Sequence, residues 1–138
     1  MSSEEKSTEA TSLPFSIPGT YQGFAEVAGL ATLDGDALVL EFEVKDAVLG
    51  LVRSGVEVVR LPVDDLASVS LDQSWLHADL VVRARSMRSV SEVPGSRQGQ
   101  VRLRIARRDR ATAEEFSATL LRRIVDKQRE RLTSGLDS

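Results

Sequence analysis

The sequence has no cysteine, a single histidine and few aromatic side chains. Without cysteine there is no disulfide framework, no thiol nucleophile and no thiolate metal site, and a reducing compartment is the natural setting. With aromatics at 4% of residues, the core has to be built mostly from Leu, Val, Ile and Ala. One histidine, His77, leaves a Ser-His-Asp arrangement a single place to form. GxSxG, P-loop and GxGxxG motifs are also missing. No apolar run approaches the roughly 20 residues that a transmembrane helix needs. The opening MSSEEKSTEATS has neither the basic nor the apolar region of a signal peptide. These absences lead to the expectation of a soluble, cytoplasmic, non-enzymatic protein with no cofactor and no metal. Asp34-Gly35-Asp36 resembles the start of a calcium loop, but the later spacing fails that pattern. Turn chemistry accounts better for Asp64-Asp65 than a metal does.

What remains is ordinary for a globular domain. Of the 138 residues, 41% are hydrophobic and 28% charged, and a chain of that length buries about two-thirds of its unfolded surface. The net charge of −3 conceals a segregation. Residues 1–80 carry 4 basic and 14 acidic side chains, whereas residues 81–138 carry 14 basic and 7 acidic ones. Such asymmetry marks a nucleic-acid or membrane surface in some proteins; the simpler account is two charged faces of one domain, or head-to-tail self-association.

Residues 1–20, rich in Ser, Thr and Glu and broken by Pro14 and Pro18, read as a flexible tail, of which SLPFSIP could dock as a short extended piece. From Tyr21 the hydrophobic period becomes two. GFAEVAGLATL and ALVLEFEV read as strands joined at Asp34-Gly35-Asp36, with Leu38, Leu40, Phe42 and Val44 on one face. A short helix is expected over 46–55, from Asp46 as N-cap to Gly55. VEVVRLPV, LASVSLD and HADLVVRAR follow as strands, with a turn at 72–75. SMRSVSEV suggests one helical turn and SRQGQ a loop. VRLRIA is the last strand, with Val101, Leu103 and Ile105 inward and Arg102 and Arg104 outward. A helix from Arg110 to about Arg131 closes the chain, with an apolar stripe at Ala113, Phe116, Leu120, Ile124 and Leu132. Arg107, Arg108 and Arg110 flank its start, where cations gain nothing from the helix dipole.

The pattern is mainly β: a bent antiparallel sheet or partly open barrel of about six to seven strands, capped by one C-terminal amphipathic helix. In this it resembles the pleckstrin-homology-like superfold. Two stretches carry the resemblance. RLPVDDLASVSLD is similar to the I-P-x-x-D-I-x-x-V passage of bacterial members, at Leu61, Pro62, Asp65, Leu66 and Val69. VRLRIARRDRATAEEFSATLLRRI is similar to their final strand and closing helix. The resemblance spans roughly residues 22–131, and places a domain at 21–132 with tails at 1–20 and 133–138. Function has to be argued from a site, because this superfold hosts lipid-binding, peptide-binding and purely architectural domains. Its phosphoinositide-binding members carry basic residues on the first two strands and their loop. The matching stretch here, ATLDGDALVLEFEVK, is acidic apart from Lys45, so the resemblance implies no specific inositol-phosphate site.

Two candidate surfaces follow. Arg83, Arg85, Arg88, Arg97, Arg102 and Arg104 would form one face for an anionic partner if their strands are neighbours, since arginine binds phosphate and carboxylate bidentately. A weak hold on an anionic membrane is the alternative reading of that face, at roughly 1 kcal/mol per arginine. Nucleic acid is disfavoured because no aromatic interleaves these arginines. The second surface is a peptide groove between HADLVVRAR and the closing helix, with Phe116, Leu120 and Ile124 as its wall and Trp75 and His77 at its end. The expected partner is a protein or peptide, a second copy included, and no small-molecule substrate is indicated.

Overall fold

Period-two alternation over most of the chain builds strands β1 (Ser12–Thr20), β2 (Ala25–Asp34), β3 (Ala37–Asp46), β4 (Glu57–Pro62), β5 (Leu66–Gln73), β6 (Ala78–Ala84) and β7 (Gln100–Ile105), followed by helix α1 (Arg110–Asp137). The computed structural model describes residues 11–20, 25–46 and 55–137. Among these the seven strands form one antiparallel sheet in the order β4-β3-β2-β1-β7-β6-β5. The sheet does not close, and β4 and β5 are its edges.

The longest ladder is β2–β3, ten residue pairs from Ala25↔Asp46 to Asp34↔Ala37. Its turn places Gly35 first, with φ 60°, the position where a type II′ hairpin needs glycine. The inner face is continuous. Leu13 and Phe15 of β1, Leu38, Leu40 and Phe42 of β3, Leu80 of β6 and Leu103 and Ile105 of β7 are buried in one cluster with Ala113, Phe116, Leu120 and Ile124 of α1. The helix therefore covers the apolar face of the sheet with the stripe expected of it.

Three expectations are corrected. The predicted tail contains a strand: Ser12–Thr20 lies inside the sheet between β2 and β7, with Leu13, Phe15 and Ile17 buried. The prolines suggested otherwise, but both point outward, and β1 meets β7 at a single pair, Ser16↔Arg104, so little of that ladder is lost. The helix runs on to Asp137 rather than ending near Arg131, and Leu132 is exposed beyond the sheet. Asp109, which its position just before Arg110 suggests as the helix cap, instead belongs to a 3-10 turn, Arg107–Asp109, through which the helix is entered. Of the tail expected at residues 1–20, residues 1–10 lie outside the described residues, as does most of the short helix expected at 46–55.

Candidate functional site

β7 and β6 run antiparallel with Arg104 opposite Asp79 and Gln100 opposite Arg83. With Leu80, Val82, Leu103 and Ile105 turned into the core, alternation leaves Asp79, Arg83, Gln100, Arg102 and Arg104 on the outer face. Of the six candidate arginines, Arg83, Arg102 and Arg104 share this face, but they are not an unopposed positive patch. Asp79, 8% exposed, lies beneath them. Arg102 Nη1 donates to Asp79 Oδ2 at 2.9 Å and its Nη2 to Asp72 Oδ2 at 3.2 Å. Arg104 Nε stands 3.5 Å from Asp79 Oδ1. The hydrogen bond to Asp79 is the largest influence on Arg102, and holds its pKa above the ordinary arginine value. Arg83 donates to Gln100 Oε1 at 2.9 Å. Arg97, on the far side of a tight turn, pairs through its backbone with Gln100 and has an exposed side chain. Arg85 and Arg88 are exposed past the end of β6. Asp79 was the residue that sequence reasoning missed. Its signal was an acid near the start of a strand that is otherwise apolar except for Arg83.

Beside this face the sheet opens. Pro18 lacks the N–H to continue the ladder, and Gly19 turns to φ 75°, so β1 departs from β7 after Ser16. The gap is a cleft of about 340 Å³, with Pro18 and Gly19 on one wall, Arg102, Arg104 and Asp79 on the other, and Gly95 and Arg97 at its end.

The groove expected beside the helix is not present in the expected form. HADLVVRAR is not an edge: β6 pairs with β5 on one side and β7 on the other. Phe116, Leu120 and Ile124 are at most 1% exposed and belong to the core. The edge beside the helix is β5, and α1 reaches across to it. Gln128 Nε2 donates to the Ala67 carbonyl at 3.3 Å, and Arg131 binds both the carbonyl and the carboxylate of Asp64.

Trp75 and His77 sit in the β5–β6 turn, Trp75 73% exposed. The Ser74 hydroxyl donates to the His77 carbonyl at 3.0 Å, and the His77 ring lies 3.7 Å from Asp79. Arg110 reaches back from the helix start to the Ser74 and His77 carbonyls, which gives that arginine a structural task. Three of the four acids weighed as metal ligands form ion pairs: Asp34 with Arg60, Asp36 with Lys127 and Asp64 with Arg131.

A different apolar surface is exposed at the opposite edge. Leu30, Glu41 and Val58 form one cross-strand row on the outer face of β2, β3 and β4. Val56 and Val58 are 63% and 57% exposed, and β4 pairs only with β3 among the described residues.

The geometry defines a mainly β protein, an open antiparallel sheet covered by one helix, with its polar cluster on the outer face. No protein-family model, curated protein or solved structure matches the chain. No helix among the described residues is long and apolar enough to cross a membrane.

Proposed function

We propose that this chain is a non-catalytic, pleckstrin-homology-like binding module of the cytoplasm that acts by protein–protein contact, in the first instance with a second copy of itself. The strand order, a four-strand run and a three-strand run joined through β1 and β7 and followed by one helix, supports the superfold. With β1 recognised, the first two strands are Ser12–Thr20 and Ala25–Asp34, and no lysine or arginine occurs between Lys6 and Lys45. A phosphoinositide site of the family type therefore still lacks its cations. Catalysis is disfavoured by His77, whose neighbouring hydroxyl is committed to a backbone carbonyl and whose neighbouring carboxylate is committed to Arg102.

The observation that carries the reading is the β4 edge. Among the described residues its outer side has no strand partner, and two exposed valines lie beside it; edge strands of that kind add a strand from a partner unless protected. Two copies meeting at β4 about a two-fold axis would extend the sheet and cover Val56 and Val58. Light scattering over a concentration series tests this. A dimer that Val58→Lys converts to monomer supports the proposal; a monomer at every concentration overturns it.

Peripheral binding to anionic membranes through the arginine face is the weaker reading. Asp79 and Asp72 offset part of the charge of Arg102 and Arg104, so the face presents less positive charge to a membrane than its six arginines alone would.

A further inference from the structure

We propose that the cleft between β1 and β7 is a binding site for a small, two-ended anion: a short aliphatic dicarboxylate or its phosphonate counterpart. The site is independent of the β4 edge. Three arginines, Arg97, Arg102 and Arg104, border the cleft; with Asp79 in its lining and Asp72 holding Arg102 from outside, they outnumber the nearby acids by one. Asp79 is the floor rather than a competitor. It is buried beneath Arg102 and Arg104: Arg102 spends Nη1 on Asp79 and Nη2 on Asp72, whereas Arg104 meets Asp79 through Nε and keeps its terminal nitrogens for a ligand. A guanidinium held from behind by a buried acid loses little freedom when it meets a ligand, and its fork fits an oxyanion head.

The arrangement selects for two ends. Arg97 is bonded through its backbone to Gln100, and Arg104 lies four residues further along β7, about 13 Å at the rise of a strand. Neither guanidinium of this pair is spent on a second acid: Arg104 has only Asp79, and Arg97 has no ion pair among the described residues. Between them the opposing wall is the Pro18 ring and the edge of Ile17. That wall suits a short hydrocarbon chain. Gly19 and Gly95 complete the lining. At about 340 Å³ the cleft lies at the small end of ligand sites. Asp79 is a positioning residue here, since it acts through Arg102 and Arg104.

Isothermal calorimetry and backbone amide NMR shifts with succinate, 3-phosphonopropionate and butyrate test the proposal on the full chain. Succinate or 3-phosphonopropionate is expected to bind, with shifts concentrated at Gly19, Gly95 and Gln100–Arg104. Butyrate, of similar length with one charge, is expected to bind at least about tenfold more weakly, the loss of one charge-assisted contact. Which of the two dianions binds more tightly identifies the end group. Arg97→Glu changes an exposed turn residue and is expected to abolish binding with an unchanged melting temperature. Arg104→Met is expected to weaken binding by about tenfold or more. Absence of binding by both dianions at millimolar concentration overturns the proposal. So does equal affinity for butyrate, or binding that survives Arg97→Glu.

Discussion

Gly29 shows how a single residue sets the shape of the sheet. It lies opposite Phe42 on β3, and a Cβ built there would stand 2.0 Å from the Glu41 carbonyl oxygen and 2.7 Å from Phe42 Cβ. The obstacle is backbone, so no rotamer change relieves it. The close approach lets β2 and β3 coil tightly enough to wrap the core, a role that glycine fills in bent strands. Gly29→Ala should therefore destabilise the protein by about 1–3 kcal/mol, the range for forced overpacking, read as a lower urea midpoint. A midpoint equal to wild type would mean that the strands separate there at no cost. Asp79 sets the electrostatics in the same way. One buried acid turns an arginine-rich face into a cluster of paired groups. A linear count of charges could not show this, because the pairing depends on the β6–β7 register.

At the scale of elements, β1 decides the architecture. It joins the β2–β4 run to the β5–β7 run, so the sheet is one body only through this strand. If residues 12–20 were a tail, Phe15→Ala would stay within about 0.5 kcal/mol of wild type. As a strand with Phe15 buried, the same change should cost about 3–5 kcal/mol, measured by denaturant unfolding. The alternation Leu13, Phe15, Ile17 was already legible in the sequence. Pro14 and Pro18 outweighed it, because their cost depends on whether a neighbouring ladder is there to lose. Elements whose signal is local were readable: the β2–β3 hairpin at Asp34-Gly35-Asp36, the 3-10 turn Met87–Val90 within SMRSVSEV, and the stripe of α1. The candidate groove was not, because it required knowing which strand is the edge. HADLVVRAR carries the exposed arginine of an outer strand, yet it has neighbours on both sides.

For the whole molecule, the segregation of charge along the chain becomes attraction within it. Lys127 pairs with Asp36, Arg131 with Asp64, and Arg102 with Asp72 and Asp79, each a base of the second half meeting an acid of the first. Lys127 has its pKa raised, chiefly by the hydrogen bond to Asp36. Folding the basic helix and β7 against the acidic turns thus uses the asymmetry that would otherwise favour head-to-tail association. These pairs are largely solvent-exposed, so salt should screen them. The melting temperature is expected to fall by a few degrees as NaCl rises from about 0.01 M to 1 M, over which the Debye length shrinks from about 30 Å to 3 Å. Arg131→Met, which removes the clamp on Asp64, should flatten that dependence. Apolar burial at the β4 edge does not weaken as salt screens charge. Light scattering along the same salt series therefore separates the two modes of association. A dimer that persists at high salt is one held by Val56 and Val58; a dimer that dissolves as the melting temperature drops is one held by charge, and would place the interface on the arginine face instead of on β4.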